Sequence, residues 1–237
     1  MTAPVEILGG LLAERPALAE AGDSIRAAFD LLKDVLGAGR QVLVCGNGGS
    51  AADGEHIVGE LAKPCALPRP LPSDVVAALT AAADDGYLAS GLRGGLPVLS
   101  LVSQSALLTA IANDQAADLM FAQQVIAYGR PGDLLWALST SGNSPSVVHA
   151  LRTARALGLR TLGFTGPGGG QLAGLCDVLV RAPGASTPAI QEHHLPIYHA
   201  LCLAVEAELF PCLRPGPRSR SAAPSASSPP PAWPAES

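Results

Sequence analysis

The sequence predicts an α/β fold: a doubly wound, five-stranded parallel sheet flanked by helices, with an extra helix ahead of the first strand. Three observations predict it. Short apolar runs recur at 41–45, 97–102, 133–138, 159–164 and 177–181 without clean hydrophobic/polar alternation, as in strands covered on both faces. Helical periodicity separates them at 50–62, 118–128 and 144–157, and such strand–helix alternation belongs to parallel sheets. Two of the runs end in polar, glycine-bearing turns, and parallel sheets place ligands at the carboxyl ends of their strands.

The elements follow in order. Residues 16–38 carry one apolar stripe, Leu18, Ile25, Ala28, Phe29, Leu32, Val35 and Leu36. This predicts a helix that packs on the domain or on a partner subunit. The run Val42–Val44 then reads as a buried strand, closed by Gly46–Ser50, with a helix following at once. Residues 63–96 break the rhythm. Prolines 64, 68, 70 and 72 precede a small-residue helix candidate near 74–87, and the stretch reads as an insertion or lid. Ser144 is a good N-cap for the helix 144–157. Gly158 suits a C-cap before the next strand. A last helical run covers about 190–210. From Pro215 the composition turns to Pro, Ser and Ala, so 215–237 is expected to be a disordered tail. The reading is one domain, 1–214, with its core at about 20–210.

Composition narrows the function classes. A chain of 237 residues that is 48% hydrophobic can build one substantial core. The net charge of -5 and the lack of a basic stripe argue against nucleic acid as a partner. The start, Met1 to Glu6, lacks a basic region followed by an apolar one, so no signal peptide is read. No uninterrupted apolar run reaches membrane-spanning length. Cys45, Cys65, Cys176, Cys202 and Cys212 are scattered and odd in number, with no Cys-x-x-Cys pair. Reduced thiols in a cytoplasmic protein are the simplest expectation.

Four motifs carry chemistry. The turn Gly46-Asn47-Gly48-Gly49-Ser50 stands between strand and helix, where backbone N–H groups and the helix dipole suit a phosphate. It is neither a dinucleotide fingerprint nor a P-loop, because the glycine spacing and the lysine are missing. Taken alone it could be a bare tight turn. Leu138-Ser139-Thr140-Ser141-Gly142-Asn143-Ser144 is a second loop at a strand end. Its hydroxyls hold phosphate without a basic patch, although a cap and a polar loop would look the same. His56 and Glu60, four apart, share a helix face just past the first turn. An unremarkable surface pair would have the same spacing. In Ile190 to His199, three of the chain's five histidines fall within seven residues. Gln191 and His199 are about 12 Å apart along a continuous helix, near the limit for sharing one ion. Pro196 is expected to break or start a helix there, or else a neighbouring subunit closes the site.

Together these motifs resemble the sugar isomerase (SIS) domain family, and within it the phosphoheptose isomerases, over about residues 20–210. The resemblance implies the SIS fold, usually assembled as a homotetramer. It implies substrate contacts at Asn47, Gly48, Gly49, Ser50, Ser139, Thr140, Ser141, Ser144 and Gln191, and at the Asn113–Asp114 pair. It also implies a divalent metal, zinc by the ligand types, held by His56, Glu60, Gln191 and His199. The implied activity is aldose–ketose isomerisation of a sugar phosphate through an enediol, sedoheptulose 7-phosphate to D-glycero-D-manno-heptose 7-phosphate. Glu60 is assigned as general base and His199 as the partner acid/base. Two features depart from the family pattern: the stretch between Glu60 and Asn113 is long, and Pro188 stands where some members carry Asp. The competing readings are a non-catalytic SIS module that binds a phosphosugar or a protein, and an isomerase of another sugar phosphate.

Overall fold

The computed structural model describes residues 2–82 and 85–210. The expected tail at 215–237 and Cys212 lie outside the described residues. The elements run α1 (Pro4–Glu14), a 3-10 turn (Pro16–Ala21), α2 (Gly22–Gly37), β1 (Val42–Gly46), α3 (Gly49–Ala62), α4 (Ser73–Ala81), α5 (Tyr87–Gly91), β2 (Val98–Ser100), α6 (Ser105–Asp114), α7 (Met120–Tyr128), β3 (Leu134–Leu138), α8 (Pro145–Ala156), β4 (Arg160–Thr165), β5 (Val178–Arg181) and α9 (Thr187–Leu209).

The five strands form one parallel sheet in the order β2-β1-β3-β4-β5. Alternate side chains face opposite layers. Val42 and Val44 of β1 and Leu134, Trp136 and Leu138 of β3 join α1, α2, α3 and α9 in one core. Leu43, Cys45, Leu135 and Ala137 join α7 and α8 in the other. All five residues of β1 and of β3 are buried, which explains why their sequence shows no alternation.

Two expectations need correction, and two helices escaped the sequence pattern. The helix expected at 16–38 is a 3-10 turn followed by α2, because Pro16 ends α1 and sets a new start. Helix α1 itself was not expected: Gly9 and Gly10 weaken its helical signal, and burial of Leu8 and Leu11 supplies what propensity does not. The candidate at 74–87 is the shorter α4, with α5 after it, and neither buries a side chain. Helix α6 also escaped the pattern, since Ile111 is its only buried residue.

Candidate active site

The site begins at the sheet's topological switch point. Chain order reverses between β1 and β3, and ligands enter doubly wound sheets at such a crevice. Gly46 at the end of β1 is in register with Leu138 at the end of β3. The turn after each strand therefore lies side by side with the other. Asn47 Nδ2 donates to Ser146 Oγ at 3.0 Å, tying the two together. Gly48, at φ +57°, makes the bend into α3, a conformation that costs glycine nothing. In the second loop, Ser139 Oγ donates to Ser144 Oγ at 3.2 Å. Ser141 Oγ accepts from Asn143 N at 3.1 Å, and Thr140 Oγ1 lies 3.4 Å from Thr187 Oγ1. Ser144 stands at the N-cap position of α8 but its side chain accepts no capping bond from the helix. Its hydroxyl is instead part of the loop's own network.

A cluster of possible ligand and acid/base groups sits two turns along α3. His56 Nε2 lies 3.5 Å from Glu60 Oε1, as the i,i+4 spacing requires. From α9, His199 Nε2 comes to 3.3 Å from His56 Nε2. One ligand atom from each of these three residues lies within 4.8 Å of the others. Tyr198, the neighbour of His199, reaches the same ring: its hydroxyl is 2.9 Å from His56 Nδ1 and donates to Asp53 Oδ1 at 3.4 Å. When the Tyr198 hydroxyl donates its hydrogen bond to Asp53, its oxygen accepts from His56 Nδ1–H. That tautomer leaves the Nε2 lone pair aimed at Glu60 and His199. A carboxylate-anchored hydrogen bond behind a histidine is how metal-binding imidazoles are oriented. Two imidazole nitrogens and one carboxylate oxygen, facing one another at these distances, suit a borderline divalent cation such as zinc.

The electrostatics agree with that chemistry. A hydrogen bond from the Cys65 thiol, aided by Lys63 and the two histidines, holds the Glu60 carboxyl below its ordinary range. Burial, followed by the charge of His56, lowers His199. Burial raises Asp53 and, more strongly, Tyr198, which keeps the tyrosine proton in place.

The remaining expected residues lie on α9 and at the end of α6. Helix α9 runs unbroken from Thr187 to Leu209 with Pro196 inside it, so the expected break is absent. Glu192, whose carbonyl loses its intrahelical donor, is exposed. Gln191 consequently stays about 12 Å along the helix from His199. Its carboxamide lies against Gly49, so close that a methyl on Gly49 would meet Gln191 Nε2 at 2.7 Å. It lies beside the phosphate-type turn, at the start of the helix that carries His56 and Glu60. Asn113 and Asp114 end α6, exposed and bonded to each other at 2.7 Å.

The sequence reading missed Tyr198, Asp53 and Ser146, although each sits within three residues of a residue it singled out. It also missed Arg69 and Glu206. Both are fully buried, with Arg69 Nε donating to Glu206 Oε1 at 2.7 Å. A buried charge shows in sequence only as one more charged residue.

Comparison with known proteins places the chain. The family model of the SIS domain matches residues 14–86 and 76–166. Phosphoheptose isomerase of Rhodospirillum rubrum is 41% identical over 194 residues, 82% of this chain and 87% of that protein. The Burkholderia pseudomallei phosphoheptose isomerase is 38% identical over 204 residues, 86% of this chain and 89% of that one. Among solved structures, the phosphoheptose isomerase of Neisseria gonorrhoeae has a TM-score of 0.65 at 31% identity, covering 84% of this chain and 97% of its own. That of Francisella tularensis has a TM-score of 0.65 at 27% identity, covering 86% and 98%. With a switch-point crevice, two polar turns and a His–Glu–His cluster already in place, these likenesses show that the chain belongs to the SIS domain family and, within it, to the phosphoheptose isomerases, which are aldose–ketose isomerases.

Proposed function

We propose that this chain interconverts sedoheptulose 7-phosphate and D-glycero-D-manno-heptose 7-phosphate, and that Glu60 and His199 carry the proton transfers. The observation that supports this most is the meeting of His56, Glu60 and His199 on helices that start at, or pass, the switch-point turns. The names of the relatives point to the same substrate class. The phosphate is held by the backbone of Asn47–Ser50 and the hydroxyls of Ser139, Thr140, Ser141 and Ser144. Gln191, against Gly49, contacts the substrate beside that turn. With the phosphate there, the carbonyl end of an extended seven-carbon chain reaches along α3 toward Glu60.

Glu60, ionised at neutral pH, takes the proton from the carbon next to the carbonyl and returns it to the neighbouring carbon. His199, exposed enough to meet the substrate, moves a proton between the two oxygens. Tyr198 and Asp53 hold the His56 ring in place. Zinc held by His56, Glu60 and His199, with Gln191 as the fourth ligand, would supply Lewis-acid polarisation of the carbonyl and of the developing enediolate. Assembly as a homotetramer and a cytoplasmic location belong to the same proposal. Among the described residues no helix is long and apolar enough to cross a membrane.

The test is an assay of the purified chain against a panel of ketose phosphates, with zinc and with a chelator, beside a binding measurement for the same sugars. Turnover of the seven-carbon phosphate is expected. Binding without turnover of any sugar would make the chain a phosphosugar-binding module.

A further inference from the structure

Helices α3 and α9 run side by side in the same direction. Gln191 lies against Gly49, Tyr198 and His199 against His56, and Glu206 against the segment that follows α3. Glu206 is seven residues, two turns, beyond His199 and so on the same helix face. Its carboxylate accepts four hydrogen bonds: Cys65 N at 2.8 Å, Ala66 N at 2.7 Å, Leu67 N at 2.9 Å and Arg69 Nε at 2.7 Å. Arg69 then folds back on the end of α3. Nη1 donates to Leu61 O at 2.8 Å and Nη2 to Glu60 O at 3.5 Å. Its guanidinium also lies 4.9 Å from the centre of the Phe210 ring. A cation on the last carbonyls of a helix is favourably placed, and the planar fork lets one side chain serve Glu206 and both carbonyls at once.

We infer that Arg69 and Glu206 form a positioning pair that locks the end of α3 to α9, and so sets Glu60 and His56 against His199 without touching any reacting atom. The linkage is short. Arg69 bonds the carbonyl of Glu60 itself, and Glu206 holds the amide of Cys65, five residues further on. The cluster that needs a fixed spacing is thus formed by two helices joined at its far end by one buried ion pair. Hydrogen-bond partners behind a metal-type ligand typically change affinity or rate by about 10–100-fold, and a pair that fixes both helices falls in that class.

The inference rests on the proposed isomerase reading, and the test separates the two. Glu206→Gln and Arg69→Lys are compared with wild type in circular dichroism, zinc affinity of the metal-free protein by competition with a chelating dye, and steady-state kinetics. Glu206→Gln is expected to keep its secondary structure while losing about tenfold or more in zinc affinity and in kcat. KM should stay within about threefold, because phosphate binding lies two turns away. Arg69→Lys retains the charge beside Glu206 but lacks the fork, and is expected to show the same split more weakly. It decides the matter should Glu206→Gln not fold. Variants that fold and keep wild-type zinc affinity and kcat overturn the inference, as does a loss of stability with both values unchanged. A wild type that binds zinc but turns over no sugar, with affinity still lost in the variants, refutes the isomerase reading and leaves the positioning role standing. A wild type that neither binds zinc nor turns over sugar overturns both.

Discussion

Glu60 and His194 show how neighbours set what a single side chain can do. Glu60 is kept ionised by the Cys65 hydrogen bond and the surrounding cations, as a base at neutral pH must be. Replacing it by Gln keeps the shape and removes the proton acceptor. Glu60→Gln is expected to lower kcat by about 10²–10⁴-fold with an unchanged circular dichroism spectrum. Wild-type turnover by that variant would take Glu60 out of the mechanism. His194 lies away from the cluster, buried beside Phe164, with Nε2 3.2 Å from Thr165 O. Burial lowers it to about 4, with the neighbouring His193 adding to the shift. The unfolded chain takes up this proton below about 6.5 and the folded chain does so only near 4. Unfolding therefore gains protons as pH falls through that window. Stability is full above about pH 6.5 and lower by up to about 3 kcal/mol near pH 4. Urea unfolding across this range should show a shallower slope against pH in His194→Gln than in wild type.

At the scale of elements, the proposed phosphate site rests on the two switch-point turns. The second depends on Gly142, at φ +65°, whose backbone packs against the Gly169 carbonyl and Gly170. Asn143 ties the two segments again, accepting from Gln171 N at 3.0 Å. A methyl at position 142 meets both a disfavoured φ and the Gly169 carbonyl. Gly142→Ala is expected to cost about 2 kcal/mol, in the range for forced backbone strain, and to displace the Ser139–Ser144 hydroxyls. A raised KM with a smaller change in kcat should accompany the lower melting temperature. Unchanged KM would show that this loop does not hold the phosphate.

At the scale of the molecule, the cluster sits beside the core and not inside it. The layer of α1, α2, α3 and α9 closes on the sheet through apolar contacts, and none of these depends on a cation. His56 is exposed, and Glu60 and His199 are partly so. Chelation is accordingly expected to abolish most of the turnover while the melting temperature moves by only a few degrees, because a chain of this length holds its core by buried area. Zinc should restore the rate. Calorimetry and kinetics on one chelated sample check both statements. Full activity in metal-free protein would leave Glu60 and His199 as a purely protonic pair.

The sequence by itself determined the parallel sheet, all five strands to within a few residues, both polar turns, and the shared helix face of His56 and Glu60. These are local facts. Strands buried on both faces read as unbroken apolar runs, and an i,i+4 pair on a helix must share a face. Tertiary structure alone decided the rest. It kept α9 continuous through Pro196, because packing along the whole helix outweighs one lost hydrogen bond. That left Gln191 against Gly49, two turns from His199. It brought Tyr198 and Asp53 behind His56 across about 140 residues of sequence separation, and Glu206 onto Arg69 across 137. A charge or hydroxyl in such a position is read from sequence as surface. Only the fold, by removing water from around it, turns its few hydrogen bonds into constraints.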